Sequence, residues 1–297
     1  MSMIMERPFT AAAYSTFAIQ FSGFLVAFLL KTEVFYDIFG SGNFLFLGLW
    51  TYLNGQKGQN TLSTITTALF LISRGWLLVF LAWRAHDRKG DARFDGVRDK
   101  FWIFLVFWMV QGCWVFLVSL PMIYINTFSR LVKEDVTGAL DKVLLLFFGL
   151  SIAIEIISDV QKAQWVAKGR PGGFCSIGFW KYSRHPNYFG EIMQWWCYFF
   201  LVVNNDVENS LQGLSCVMSP LFTCWILFFA GATGLTNAEG NGLKRYYHSN
   251  FAEEYIEYRQ NTSILIPMIG YAKCPMWFKR IFLFEWERYE FQDKKES

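Results

Sequence analysis

Long apolar runs dominate the chain and set its first reading. A bilayer core about 30 Å thick needs roughly 20 apolar residues in a helix. Thr10–Leu30, Phe101–Tyr124 and Leu214–Leu235 meet that length with no charged residue. Four more runs are apolar but carry an ionisable group. Val34–Leu53 holds Asp37, Thr61–Trp83 holds Arg74, Val143–Asp159 holds Glu155 and ends on Asp159, and Tyr188–Val203 holds Glu191. Backbone groups in lipid must find partners within their own segment, so each run is a predicted helix. The pattern predicts an all-α, polytopic membrane protein with about seven transmembrane helices. The first run is too long for a signal peptide and no small-x-small cleavage site follows it, so it reads as a retained helix.

After the last run the pattern changes. Tyr247, Phe251, Tyr255 and Tyr258 recur at helical spacing, with Glu253, Glu254, Glu257 and Arg259 on the other face. This predicts a C-terminal amphipathic helix, either packed on the bundle or serving as a lid over a site. Met276–Phe291 is aromatic and basic, and is expected in the membrane interface. No internal repeat or low-complexity stretch occurs. The pattern divides the chain into amino-terminal transmembrane helices (1–140), a second region that ends with the amphipathic helix (141–270) and an interfacial aromatic and basic tail (271–297).

Composition agrees with the pattern. Of 297 residues 54% are hydrophobic, 20% aromatic and only 17% charged, against about 25% charged in soluble domains. Mean hydropathy is +0.26 over the whole chain. A net charge of +3 is too small to point to nucleic acid. The six cysteines form no C-x-x-C pair and sit mostly in apolar runs, where they read as small hydrophobes rather than disulfides. Three dispersed histidines offer no metal site. Basic residues are sorted by loop. Arg84, Arg88, Lys89, Arg93, Arg98 and Lys100 fall in one; Lys162, Lys168, Arg170, Lys181 and Arg184 in another; Asn204–Gly213 has none. With seven helices, the basic segments share one side, which places the amino terminus outside and the carboxy terminus in the cytoplasm.

Charge inside a membrane costs about 2.5–3.5 kcal/mol or more per group at a helix centre, so clustering there is informative. Glu155, Ser158, Asp159 and Lys162 fall on one stripe of an otherwise apolar helix, and Asn187, Glu191 and Gln194 on one stripe of the next. Pro186 suits a first helical position. Arg184 and His185 then stand just before a helix start, a place that favours anionic phosphate. Lys168, Arg170 and Lys181 share that loop, and Gly172, Gly173 and Gly178 would let it approach a ligand closely. The plainer reading is a structural network, with Glu155 partnered by Lys162 and the loop cations marking only topology. Arg74 either bridges to Asp37 or donates to a bound polar group. Tyr36 and Asp37 could serve a buried ligand, while Trp108 and Gln111 read as packing residues.

The string Gly178–Glu191, GFWKYSRHPNYFGE, resembles the carboxy-terminal region of the steroid 5-alpha-reductase-like membrane proteins, in particular a branch with a domain of unknown function carrying S-R-H-P-N-Y-x-G-E. The likeness extends through Glu155, Asp159, Gln161 and Lys162 upstream and Tyr255, Tyr258, Thr262 and Pro267 downstream. KTEVFYDIFGS (Lys31–Ser41) and GDARFDGVR (Gly90–Arg98) are similar to the same branch. The resemblance implies a membrane-embedded reductase that takes NADPH from the cytoplasm and passes a hydride to an activated carbon–carbon double bond of a lipid or sterol-like substrate. By that carry-over Asp159, Asn187, Glu191 and Tyr258 bind NADPH, with Arg184 near its phosphates. Glu155, Lys162, His185, Tyr188 and Tyr255 complete the expected cofactor set. Arg74, Tyr36 and Asp37 are the candidates for the acid that stabilises the developing enolate. No Gln-x-x-Pro-Ser-type segment of the steroid enzymes is present, so the resemblance does not carry over a steroid as the particular substrate.

Two other classes compete. Isoprenylcysteine carboxyl methyltransferases share an R-H-P-x-Y string and use S-adenosylmethionine, but generally carry serine in place of Asn187 and an apolar or aromatic residue in place of Glu191. A non-catalytic lipid-binding protein with the same fold is the third reading. The final Lys294–Ser297, KKES, resembles a dilysine retrieval signal and implies the endoplasmic-reticulum membrane in a eukaryotic cell.

Overall fold

The computed structural model describes residues 7–55, 60–87, 91–128, 138–206, 210–231 and 234–291. Arg88, Lys89 and the KKES tail lie outside the described residues. The described residues form helices α1 (Pro8–Leu29), α2 (Tyr36–Asn54), α3 (Thr61–Asp87), α4 (Phe101–Thr127), α5 (Ala139–Ala167), α6 (Pro186–Asn205), α7 (Leu211–Ser215), α8 (Met218–Phe229), α9 (Gly234–Ala238), α10 (Lys244–Tyr247), α11 (Ala252–Asn261) and α12 (Met276–Phe282). Between them lie short 3-10 turns. Five segments are long and apolar enough to cross a membrane: Pro8–Leu29, Thr61–Trp83, Phe101–Thr127, Ala139–Ala167 and Leu211–Ala238. This all-helical architecture fits a multi-pass membrane protein. The other two expected spans are helical as well, α2 and α6, but Asp37, Asn43 and Asn54 in one and Asn187, Glu191 and Gln194 in the other dilute their apolar character.

Two compact units are present, one made of Met1–Phe148 and Trp195–Phe222, the other of Gly149–Gln194 and Thr223–Ser297. In the first, buried polar side chains share the interior with an apolar core, and many apolar side chains face outward. Thr16, Gln20, Asn43, Thr67, Arg74 and Gln111 are buried, while Leu25, Leu49, Ile72, Val79, Val106 and Val110 face outward. Outward apolar side chains in such number suit a lipid surround, and several of the buried polar ones bond one another. Gln111 Nε2 donates to Gln20 Oε1 (3.1 Å) and to the Tyr36 carbonyl (2.8 Å). Asn126 Nδ2 donates to Thr51 Oγ1 (3.1 Å), and Thr67 Oγ1 to Asn126 Oδ1 (3.0 Å). Trp108 is fully buried beside Phe24, Phe94 and Phe104, as expected of a packing residue. Glu33 accepts from Arg98 and from the Asp91 amide, tying the turn after α1 to the loop before α4.

The structure departs from the sequence pattern in two elements. The last apolar run is not one helix: it is broken between α7 and α8 and again before Gly234. The expected helix over Tyr247–Arg259 is divided into α10 and α11. Ser249 is the cause, because its Oγ donates to the Tyr246 carbonyl (2.7 Å) and accepts the Phe251 amide (3.2 Å). Those bonds offer the backbone an alternative to the helical ladder. All six cysteines are free; Cys175, Cys197 and Cys216 are buried, while Cys113 is exposed.

Candidate functional site

The site lies wholly in the second unit and starts where α5 and α6 touch. A β-carbon on Gly190 would stand 2.7 Å from the Ser151 carbonyl oxygen and 2.9 Å from the Glu155 amide nitrogen. Only glycine permits this backbone approach, and the approach brings the two polar stripes together. Gln194 Nε2 donates to Glu155 Oε2, and Asn187 Nδ2 donates to Asp159 Oδ1 (3.1 Å). Glu155, Ser158, Asp159 and Gln194 are buried, and Glu191 is half-buried on the same face of α6 as Asn187. Two polar atoms of this seam, Asn187 Oδ1 and Ser158 Oγ, are buried without a hydrogen-bond partner. Such atoms are uncommon and call for an explanation.

One turn further along α5, Lys162 is exposed and holds its ammonium 4.3 Å from the Trp180 ring centroid. Trp180 is pinned from two sides: its Nε1 donates to the Ser158 carbonyl (2.9 Å), and its own carbonyl accepts from the Tyr258 hydroxyl. Phe174 packs on both Tyr255 (5.2 Å) and Tyr258 (5.1 Å). Gly173 and Gly178 adopt positive φ (76° and 53°). A β-carbon on them would collide with Phe251 and Gln161. These two glycines therefore make room for the protein's own side chains, not for a ligand as the sequence led us to expect. Lys168, Arg170 and Lys181 are exposed.

Arg184, His185 and Tyr188 stand at the start of α6 in a second, charged cluster. Arg184 donates to Glu239 Oε2 (3.0 Å) and to Glu285. His185 Nε2 lies 2.9 Å from Glu239 Oε1 and its ring stacks on Tyr188. Arg259 reaches Glu239 (3.2 Å) and Glu285 (3.7 Å), and the Tyr271 hydroxyl donates to Glu285 (2.7 Å). The backbone is held too, with the Arg184 amide on the Ser263 carbonyl (2.8 Å) and Ser183 Oγ on the Leu265 carbonyl (2.7 Å). Burial alone would raise the Glu239 carboxyl. Arg184, the His185 hydrogen bond and Arg259 outweigh it and hold the group at about 2. Burial pushes His185 down, against the pull of Glu239. Burial also pushes Tyr255 and Tyr258 up, keeping both as phenols.

Several sequence expectations meet different partners. Arg184, expected at cofactor phosphates, has its guanidinium committed to two carboxylates. Glu155 pairs with Gln194 and Lys162 with an indole ring, in place of the salt bridge considered between them. In the first unit Asp37 forms an ion pair with Arg93 (3.7 Å). The Tyr36 hydroxyl donates to the Phe107 carbonyl (3.0 Å). Arg74 is fully buried, donates to Ser73 Oγ (2.8 Å), and lies over Trp195 (4.8 Å) and Phe44 (5.6 Å). Phe44 is seven residues beyond Asp37 on α2, about 10 Å of helical rise, so Arg74 stands at another level from Tyr36 and Asp37.

Glu239 and Glu285 were not legible as site residues. Glu239 is the lone acid between Asn209 and Ala252, a faint signal beside the basic Lys244 and Arg245. Glu285 sits among aromatic residues and a second acid, Glu287, with nothing in the local pattern to distinguish it. No curated protein and no solved structure matches the chain. Residues 23–262 match the family described as Protein of unknown function (DUF1295), a range that holds the whole polar seam and Glu239 but not Glu285. The match runs over most of the sequence, and the chain belongs to that family.

Proposed function

We propose that the protein is a membrane-embedded, NADPH-dependent reductase of the steroid 5-alpha-reductase-like group, acting on an activated carbon–carbon double bond of a lipid or sterol-like substrate. The observation that carries this reading is the seam between α5 and α6. Two buried polar atoms, Asn187 Oδ1 and Ser158 Oγ, lack partners beside Asp159. They sit next to an exposed lysine and a wall of aromatic rings. A nicotinamide nucleotide has the matching parts: an amide and ribose hydroxyls to bond, flat rings, and phosphates.

NADPH, when bound, supplies the hydride; the rest is positioning. Asp159, Asn187 and Glu191 would hold its polar groups, with Glu155 and Gln194 fixing the rotamers of the seam. Tyr255 and Tyr258 wall the site with their rings, the Tyr258 hydroxyl being spent on the Trp180 carbonyl. The buried network of Arg184, His185, Tyr188 and Glu239 orients the start of α6 rather than meeting phosphate. The group that stabilises a developing enolate is proposed to be Arg74, whose guanidinium can donate to an oxyanion. Tyr36 and Asp37 are engaged with Phe107 and Arg93.

Asn187→Ala should weaken NADPH binding to detergent-purified protein by about 10-fold or more, the loss expected for buried polar contacts, while membrane insertion is unchanged. Unaltered affinity in both Asn187→Ala and Asp159→Ala would refute the assignment of the site.

The seven-span topology is part of this proposal and rests on parity. Glu33 and Arg98 are ion-paired, so they lie on one side of the membrane, yet Thr61–Trp83 crosses between them. Only a second crossing by α2 restores the balance. Likewise Arg184 meets Glu239 across the Leu211–Ala238 span, which requires α6 to cross. Single-cysteine variants at Lys31, Lys100 and Lys168 should label with an impermeant maleimide from one side, and Gln212→Cys from the other. Labelling of Lys31→Cys and Lys100→Cys from opposite sides would contradict the count.

A further inference from the structure

Within the first unit the start of α5 meets the end of α6, and a carboxylate is buried there. Asp141, in the first turn of α5, is 2% exposed. Its Oδ1 accepts from Asn204 Nδ2 and from Asn205 Nδ2, both at 2.7 Å. Among the described residues these two neutral amides are its partners, and no cation joins them. Asp206, the residue after α6, adds a second buried carboxylate, whose Oδ2 accepts the Ser210 amide (2.7 Å) and hydroxyl (2.8 Å). Asn204–Gly213 contains no lysine, arginine or histidine. Asn205 is fully buried, and its Nδ2 also donates to the Leu201 carbonyl (2.9 Å). Turning its amide over would set oxygen against oxygen at both contacts, so the orientation is fixed. Its Oδ1 is then buried with no hydrogen-bond partner among the described residues. Because Oδ1 shares a carbon with Nδ2, it stands beside the Asp141 carboxylate. The positive end of α5 offsets part of the Asp141 charge, but the negative end of α6 lies at the same level. A buried carboxylate without a charged partner and a buried amide oxygen without a donor are each costly. One hard cation between them removes both costs.

We propose that Asp141 and Asn205 are ligands of a calcium ion. Asp141 supplies a carboxylate oxygen and Asn205 its Oδ1. The last carbonyls of α6, which have no partner within their own helix, and water complete the shell. Carboxylate and carbonyl oxygens suit calcium rather than the transition metals, and an irregular shell suits it better than magnesium, which needs near-ideal octahedral geometry. Among the described residues no three His, Cys, Asp or Glu side chains gather as a metal site. The low ligand charge sets a weak affinity, about 10⁻⁴–10⁻³ M, that of extracellular calcium modules. In the topology proposed above this end lies opposite the Lys168 loop, away from the cytoplasm, where such an affinity is appropriate. The bound ion clamps the start of α5 to the end of α6. This inference does not depend on the reductase reading.

The test is thermal unfolding of the chelator-treated, full-length protein in nanodiscs, titrated with CaCl2, MgCl2 and NaCl at matched ionic strength, with equilibrium dialysis against radioactive calcium beside it. In the unaltered protein calcium should raise the midpoint with a half-effect at about 10⁻⁴–10⁻³ M, and magnesium and sodium should do so far less. Asp141→Asn keeps an acceptor for the two amides and removes the buried charge. Under chelator it should be no less stable than the unaltered protein, and both its calcium-dependent rise and its calcium binding in dialysis should be lost. Asn205→Ala should weaken calcium binding in dialysis whether or not it lowers the basal midpoint. No rise and no binding in the unaltered protein would overturn the proposal. Equal rises with all three salts would mean an adventitious ion only and overturn it as well. A calcium response that survives in Asp141→Asn would place the ion elsewhere and do the same.

Discussion

Glu239→Ala is expected to destabilise the second unit by about 3–5 kcal/mol, the usual loss when one partner of a buried ion network is removed. The reason is what remains. Arg184 and His185 are buried, Arg259 is nearly so, and all three meet Glu239. Glu285 contacts the two arginines, and alone it cannot balance both of them. In detergent the unfolding midpoint should fall on the order of 10 °C. Glu239→Gln should fall less, since the amide still accepts hydrogen bonds. The pH dependence gives a sharper signature. Glu239 is held at about 2, below its ordinary 4.5. A depressed carboxyl contributes stability that is present above 4.5 and is lost as pH falls through 2. The stability gap between the unaltered protein and Glu239→Gln should therefore be widest above pH 4.5 and close towards pH 2. A gap that is flat or widens on acidification would mean that Glu239 is not the charged keystone of the network.

Gly190→Ala is expected to lower both stability and cofactor affinity, although alanine is the better helix former. The intrinsic preference for alanine inside a helix is about 1 kcal/mol. Against it stands a β-carbon 2.7 Å from a carbonyl oxygen and 2.9 Å from an amide nitrogen. These are backbone atoms of α5 that cannot rotate aside, so the helices must separate. Overpacking of this kind costs about 1–3 kcal/mol. Because backbone rather than a flexible side chain is struck, the cost belongs at the upper end, and a net loss of about 2 kcal/mol follows. The same separation stretches Asn187–Asp159 and Gln194–Glu155, so NADPH affinity should fall with it. Gly190→Leu should not fold. Thermal unfolding and NADPH titration of Gly190→Ala check both parts, and a raised midpoint would show that the helices have slack at this level.

The helices were legible because their signal is local: an apolar run of bilayer length leaves no alternative to a helix. The seam was legible for the same reason, since Glu155, Asp159, Asn187 and Glu191 each declare themselves as polar residues in apolar surroundings. What was not legible depends on partners distant in sequence or on one side chain's choice of bond. Arg184 reads as a phosphate ligand until Glu239 and Glu285, 55 and 101 residues away, are seen to bind it. Gly173 and Gly178 read as space for a ligand until Phe251 and Gln161 are found to fill it. The break between α10 and α11 turns on a single hydroxyl, that of Ser249, within a segment whose periodicity is otherwise helical. The Arg93 partner of Asp37 was hidden too, because it lies 56 residues away in a loop outside the apolar runs.

The central claim is that the seam between α5 and α6 holds a nicotinamide nucleotide. The most direct measurement is the thermal unfolding of the detergent-purified protein with NADPH, NADH and S-adenosylmethionine in parallel. A ligand at about 100 times its dissociation constant stabilises the fold by about 2.7 kcal/mol, well above the resolution of the method. The account predicts a rise in the midpoint with NADPH, a smaller one with NADH and none with S-adenosylmethionine. A rise with S-adenosylmethionine alone would contradict it and favour the methyltransferase reading, and no rise with any of the three would contradict it as well.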